Sequence, residues 1–171
     1  MLLDGDRAIH DSLGIVLYLA DRHDGVWPKD EAARAWAQCA TAEMHSGFAA
    51  LRNACPMNVG VRVKPQPLSE SVTQNVSRLR ELWHEGLSRF GGPWLAGEKF
   101  GAVDAFFAPV AFRVRTYGLD VGEGQVWVDR ILAHPAMRQW ETEALAESWR
   151  EVSHEEELRT SGEVIADYRT G

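Results

Sequence analysis

The chain has 171 residues, of which 45% are hydrophobic and 25% are charged, so it is long enough for a domain with a sizeable core. The formal net charge of −7 makes nucleic acid an unfavourable partner, because a protein this acidic repels a polyanion. No signal peptide is expected at the N-terminus, and no apolar run reaches the roughly 20 residues of a membrane span.

The first nine residues are predicted to form a β-hairpin. Short apolar stretches lie on either side of Asp4-Gly5-Asp6, and an Asp-Gly pair favours a tight turn between two strands. No later segment is predicted as a strand, so this hairpin has no further sheet to join. A lone hairpin is only marginally stable and needs other elements to pack on.

A helix is predicted from Asp11 or Ser12 to about residue 23, since both residues are good N-caps. Residues 13–20 are apolar apart from the hydroxyl of Tyr18, which predicts cover from two sides, by the downstream helices on one and by the missing part of a sheet on the other. Apolar periodicity and the positions of glycine and proline predict the remaining elements. They are a helix from 29 or 30 to 53, a loop at 56–68, a helix at 69–90, a central helix at 100–118, helices at 125–133 and 136–150, and an extended or poorly ordered tail after 152.

The central helix is predicted to be buried on all sides, because every residue from 105 to 112 is apolar. Gly101 is the expected N-cap, and Asp104 can accept a hydrogen bond from a free backbone N–H, as in a capping box. Pro109 is expected to kink the helix. The predicted fold class is therefore all-α, with a helical bundle around a central buried helix and a short hairpin and helix at the N-terminus.

Three motifs resemble the glutathione transferase superfamily. They are Asp11-Ser12-Leu13-Gly14-Ile15-x-x-Tyr18-Leu19, Leu95-Ala96-Gly97-x-x-Phe100-Gly101-x-x-Asp104-Ala105, and Pro135-x-x-x-x-Trp140. The resemblance implies that residues 1–26 are a remnant of the family's thioredoxin-like domain, that residues 27–152 are its C-terminal helical domain, and that residues 153–171 form an acidic tail. The family usually has Ser or Thr where this chain has Gly101.

The resemblance also implies that Asp11 and Ser12 bind the γ-glutamyl carboxylate and amine of glutathione. The physics agrees, because a helix N-terminus favours a carboxylate, while Asp can pair with an ammonium group. The alternative is that both residues merely cap their helix.

A second set of residues lies where the family binds its electrophilic substrate. The candidates are Met44, His45, Phe48, Arg52, Met57, Asn58, Arg113 and Tyr117. Apolar walls with one or two cations suit a small organic electrophile that carries a carboxylate. The alternative is that Met44 and Phe48 belong to the core, Arg52 is a solvated charge, and Arg113 pairs with a core acid such as Asp104 or Glu43.

The function implied by the resemblance is glutathione conjugation or isomerisation of small electrophiles by a cytoplasmic homodimer, with glutathione as co-substrate. No metal site is expected, because no His or Cys cluster has ligand spacing. Cys39 and Cys55 are expected to be free buried thiols. The alternative function is a non-catalytic domain for protein interaction or dimerisation.

No residue of the chain is predicted to be catalytic. In the family, a Tyr, Ser or Cys near the first strand activates the thiol, and a cis-proline binds the glutathione backbone; neither has a counterpart here. The expectation is therefore a truncated, catalytically incomplete transferase, with the origin of the truncation left open.

Overall fold

The computed structural model describes residues 1–170, and most of them are helical. The α-helices are α1 (Ser12–Ala20), α2 (Glu31–Ser46), α3 (Ala49–Ala54), α4 (Glu70–Phe90), α5 (Ala102–Tyr117), α6 (Gln125–Leu132), α7 (Pro135–Ala146) and α8 (Val152–Ser161). The strands are β1 (Leu2–Asp4), β2 (Arg7–Ile9), β3 (Val61–Pro65) and β4 (Gly162–Asp167). A helical fold is thus confirmed; the β1–β2 hairpin is part of the predicted fold class, and the β3–β4 sheet departs from it.

The chain divides into two compact units. The first unit comprises residues 1–47 and 85–107, and the second comprises residues 48–84 and the described residues from 108 onward. Each of the long helices α4 and α5 contributes one segment to each unit.

The predicted N-terminal hairpin is confirmed. Strands β1 and β2 pair antiparallel with Leu2 opposite Ile9 and Asp4 opposite Arg7. The turn contains Gly5 at φ 61°, a conformation that glycine adopts without steric cost. Helix α1 follows and contacts β2 and α2, all within the first unit.

The exposure of α1 agrees with the expectation that one of its two sides has no cover. Every residue of this helix is at least partly exposed, and Leu17 is 48% exposed. The helix contacts β2 and α2 in the first unit, and the apolar side chain of Leu17 remains at the surface.

The core of the first unit lies between α2 and the end of α4. Trp36 packs against Phe90 with ring centroids 5.5 Å apart. Gly86 permits this close approach, because a Cβ there would lie 2.4 Å from both the Trp36 ring and the Leu95 carbonyl oxygen. The aromatic pair therefore depends on the missing side chain at this position.

The single helix predicted from residue 29 or 30 to 53 is two helices, so this prediction was wrong. Gly47 adopts an extended conformation after α2, and Phe48 takes φ 59°, ψ 30° before α3 begins. A Cβ on Gly47 would lie 2.6 Å from the Glu43 carbonyl oxygen, so the sharp exit from α2 requires glycine. Apolar periodicity continues through the break and does not reveal it.

The loop predicted at 56–68 contains strand β3, and the tail after 152, predicted to be extended or poorly ordered, forms helix α8 and then the extended strand β4. Strand β3 pairs antiparallel with β4. Glu151 caps α8, the helix directly before β4, by accepting a hydrogen bond from the His154 N–H. Val61, Val63 and Leu158 are buried. About 100 residues separate the two strands, so local patterns could not reveal their pairing.

Helices α6 and α7 of the second unit were largely predicted. Trp83 of α4 and Trp127 of α6 are fully buried, with ring centroids 4.6 Å apart. Helix α7 ends at Ala146 rather than near residue 150. Of its apolar residues Met137, Trp140, Ala144 and Leu145, only Met137 is buried.

Helix α5 confirms the predicted capping box, but its predicted burial on all sides fails at the start of the apolar run, where Ala105 is exposed and Phe106 is half-buried. Asp104 accepts hydrogen bonds from the N–H groups of Gly101 and Leu95, each at 3.0 Å. From residue 107 to 117 only Pro109 and Arg115 are not buried. The helix ends before Gly118, which adopts φ 61°. Both cysteines are free, but only Cys55 is buried, whereas Cys39 is exposed.

Candidate functional site

Asp11 lies at the start of α1 in an uncommon backbone conformation. Its φ of 70° and ψ of 133° are unusual for a residue with a side chain. One carboxylate oxygen, Oδ1, accepts hydrogen bonds from the N–H groups of Leu13 at 2.8 Å and Gly14 at 3.1 Å. The predicted N-cap role is therefore confirmed, and strained backbone of this kind is often found at binding sites.

The second oxygen of Asp11 faces His45, near the end of α2. Asp11 Oδ2 and His45 Nε2 are 3.1 Å apart, and Ser12 Oγ lies 3.5 Å from His45 Nδ1. The side chains remain accessible, with 52% of Asp11 and 33% of His45 exposed. The Phe106 ring lies edge-on to the imidazole, with centroids 6.3 Å apart. We refer to Asp11, Ser12 and His45 as the Asp11 cluster.

The Asp11 carboxylate is held in its ionised form. The hydrogen bond from the Gly14 N–H is the main cause that lowers its pKa, and the Leu13 N–H and His45 act in the same direction. Partial desolvation opposes these effects without reversing them. The Asp11 cluster thus presents a carboxylate that can bind an ammonium group, beside a hydroxyl that can donate to or accept from a ligand.

In the second unit, Arg113 lies in a different environment. Its side chain is only 8% exposed, and burial is the main cause that lowers its pKa. The guanidinium donates Nε–H to the Cys55 carbonyl at 2.8 Å, while Nη1 lies 3.7 Å from Met57 Sδ and 3.5 Å from the Pro109 carbonyl. Within residues 1–170 it forms no ion pair with a carboxylate, so the alternative of a core acid partner was wrong.

Tyr117 and Asn58 hold the backbone near Arg113. The buried Tyr117 hydroxyl donates to the Pro56 carbonyl at 2.9 Å, and burial raises the pKa of Tyr117 to about 12. The Asn58 side-chain oxygen accepts a hydrogen bond from the Gly60 N–H at 3.0 Å. The Asn58 main-chain carbonyl accepts one from the Thr116 hydroxyl at 2.7 Å. These polar groups already have protein partners.

The remaining candidates for the substrate pocket are spread over both units. Met44 lies in the first unit and is 3% exposed, and Phe48 lies in the second and is 6% exposed. Arg52 is in the last turn of α3, and Met57 follows in the half-buried segment after it. A substrate pocket at the eight candidate residues stays a prediction.

Two depressions are found within the units. A groove of about 920 Å³ in the first unit is lined by Trp27, Phe90 and Phe100, among others. A cleft of about 250 Å³ in the second unit includes Met57 and Asn58. Neither is lined by Asp11, Ser12, Arg113 or Tyr117.

Residues 1–170 contain no group of three or more His, Cys, Asp or Glu side chains that could hold a metal ion. In the same residues, no helix combines the length and apolar character needed to cross a bilayer.

Residues 30–143 match the family model of the glutathione S-transferase C-terminal domain. The match covers about two thirds of the chain. The chain belongs to this family. A comparison with curated proteins gives no match. The glutathione S-transferase family uses glutathione as co-substrate, and its members generally bind electrophilic substrates and form dimers.

The glutathione S-transferase match includes all eight candidate pocket residues, whereas Asp11 and Ser12 precede it. The contact of His45 with Asp11 was missed, because His45 had been assigned to the electrophile pocket. No local signal could have revealed it, since the two residues lie on different helices and more than 30 positions apart.

Proposed function

We propose that this glutathione S-transferase family chain binds glutathione through Asp11 and Ser12 and takes part in its conjugation to small electrophiles or in their isomerisation. The observation that carries the proposal is an ionised, half-exposed carboxylate at the start of α1, beside a serine hydroxyl. The family match supports glutathione as the ligand.

The γ-glutamyl end of glutathione carries one ammonium and one carboxylate group. In the proposed complex, Asp11 Oδ2 accepts a hydrogen bond from the ammonium, and the Ser12 hydroxyl donates to the carboxylate. The positive potential at the N-terminus of α1 favours that carboxylate further. The proposal assigns residues of this chain to binding and assigns none of them to activation of the glutathione thiol.

We test this with a calorimetric glutathione titration of the wild-type chain and of Asp11→Ala and Ser12→Ala. Asp11→Ala is expected to weaken binding about tenfold or more, because a charge-assisted hydrogen bond contributes roughly 1.5–3 kcal/mol. The matched control is Asp30→Ala, since Asp30 also caps a helix, accepting from the Ala33 N–H at 2.8 Å. Equal affinities of wild type and Asp11→Ala would reject the proposal.

For the electrophile, we propose that Arg113 holds a carboxylate of the substrate. Its buried guanidinium bonds neutral acceptors in residues 1–170, so an anion would offset the cost of its burial. Binding of 4-chlorobenzoate and of neutral 4-chlorobenzyl alcohol, each without glutathione, tests this. Arg113→Met is expected to weaken the carboxylated ligand about tenfold and the neutral one much less; equal losses would contradict the role.

A second candidate function is protein interaction or homodimerisation through α1. The exposed apolar side chain of Leu17, on a helix without a buried residue, supports it. Sedimentation equilibrium of the wild-type chain and Leu17→Ser separates the two functions. Tight self-association that Leu17→Ser weakens, with no glutathione binding, favours this alternative. Either function is proposed for the cytoplasm, where free Cys39 and Cys55 are stable.

A further inference from the structure

We propose that His45 is a positioning residue that makes the Asp11 cluster bind glutathione more tightly as the pH rises from about 5.5 to 7.0. The inference rests on the proposed function, because it concerns the carboxylate assigned to the glutathione ammonium. It adds a residue from α2 to a site otherwise formed by the first residues of α1.

The hydrogen bonds of the cluster indicate how neutral His45 is arranged. The ionised Asp11 carboxylate can only accept, so the hydrogen of the neutral ring lies on Nε2 and points to Asp11 Oδ2 at 3.1 Å. His45 Nδ1 then accepts from the Ser12 hydroxyl at 3.5 Å. Neutral His45 thus orients both groups that are proposed to contact the γ-glutamyl end.

Protonation changes what Asp11 offers to a ligand. An imidazolium at 3.1 Å partly neutralises the Asp11 carboxylate, and it competes with the ligand ammonium for the same oxygen. Over this pH range the ligand keeps its charges, because α-amino groups titrate near 7.7–8.0 and α-carboxyl groups near 3.5. The change in affinity therefore originates in the protein.

The groups that face His45 are few. Asp11 faces it from the start of α1, and the uncharged ring of Phe106 faces it from α5. On α2 itself, Glu43 is two positions away and therefore points to the other side of the helix. Asp11 is thus the carboxylate in direct contact with the imidazole, and it determines the sign of the effect.

Ser12 has an opposing, weaker influence. When His45 is protonated, Nδ1 becomes a donor and the Ser12 hydroxyl hydrogen is released toward a ligand carboxylate. At 3.5 Å this contact is at the outer limit of a hydrogen bond, whereas the Asp11 contact at 3.1 Å joins opposite charges. The loss at Asp11 outweighs the gain at Ser12, so acidification weakens binding.

The test is a calorimetric titration of the full chain with glutathione at pH 5.5 and pH 7.0. Because the cluster is partly exposed, we expect wild-type affinity to rise about twofold to fivefold between these values. His45→Gln is expected to remove most of this change while binding glutathione at both pH values. Desamino-glutathione, which lacks the α-amino group, is expected to show no such rise with the wild type.

The matched control is His84→Gln. His84 forms another exposed histidine–carboxylate contact, with Nδ1 2.8 Å from Glu123 Oε2, but it belongs to the second unit. This variant is expected to keep the wild-type pH dependence. Equal loss of pH dependence in both variants would overturn the role of His45.

The outcomes separate this inference from the proposed function. If wild-type glutathione affinity is the same at both pH values, the role of His45 is overturned and glutathione binding stands. If glutathione does not bind at either pH, both the proposed function and the role of His45 are overturned. Circular dichroism of each variant confirms that a loss does not reflect unfolding.

Discussion

Asp11 at the start of α1 and Asp104 at the start of α5 have the same side chain and a similar local role, yet their surroundings differ. Asp11 is half exposed and uses one oxygen for its own helix, so the second oxygen faces His45 and solvent. Asp104 is fully buried, and its oxygens accept from Leu95 and Gly101. Burial makes Asp104 a structural group, whereas exposure leaves Asp11 available for a ligand.

The same contrast extends to the second unit. Arg113 and Tyr117 were candidates for a substrate pocket, but both are buried and bond backbone carbonyls. A polar group with protein partners and little exposed surface can bind a ligand only if its hydrogen bonds to the ligand are more favourable than those to its protein partners. The condition applies to Arg113, which is proposed to bind the electrophile, and not to the half-exposed Asp11, which is proposed to bind glutathione.

The largest expected effect is on folding stability, at Asp104. Replacing it by Ala leaves the N–H groups of Leu95 and Gly101 without their acceptor, and each buried donor left unsatisfied costs about 1–3 kcal/mol. We expect Asp104→Ala to lower the free energy of unfolding by about 3 kcal/mol or more, measured by urea denaturation.

Asp11→Ala is the matched control for Asp104, because it removes an exposed cap of the same chemistry. Its urea midpoint should fall by much less than that of Asp104→Ala. Comparable losses in the two variants would break the distinction between a structural and an available aspartate.

An intermediate effect is expected at Tyr117. Tyr117→Phe removes the donor to the Pro56 carbonyl and should cost about 1–2 kcal/mol in the free energy of unfolding. Burial raises the pKa of Tyr117 to about 12, so above pH 10 ionisation favours the unfolded chain. Wild-type stability should therefore fall from pH 10 to 12, and the fall should be shallower in Tyr117→Phe. If stability fell equally steeply with pH in the wild type and in Tyr117→Phe, the phenol would be accessible to solvent.

The smallest effect is expected at Gly101. Gly101→Ser would give α5 a side-chain cap like that of α1, and a Cβ there meets the Val26 carbonyl oxygen at an ordinary 3.5 Å. The urea midpoint should rise by an amount that corresponds to a few tenths of a kcal/mol. A decrease would show that the start of α5 has no room for a side chain.

Local signals predicted helices α1 and α5 well because the groups that begin and end these helices are local. Asp11 caps α1, and Asp104 completes the capping box of α5. Gly118 ends α5. Each acts on backbone groups only a few residues away. The break between α2 and α3 was missed, because the positive φ of Phe48 leaves no mark in the apolar pattern.

Distant contacts were the main source of error. Val61 and Val63 alternate with polar Arg62 and Lys64, which is a strand signal, but the segment is short and its partner β4 lies about 100 residues away. The candidate site shows the same limit. Sequence predicted Asp11 and Ser12, and only the fold brought His45 to them.

The most direct measurement compares the two helix starts in one experiment. In an ¹⁵N-resolved nuclear magnetic resonance titration with glutathione, the account predicts large shifts for the amides of Ser12, Leu13 and Gly14 and little change at Gly101 and Ala102. No shifts at residues 12–14, or equal shifts at both helix starts, would contradict the claim that the exposed Asp11 cluster binds glutathione.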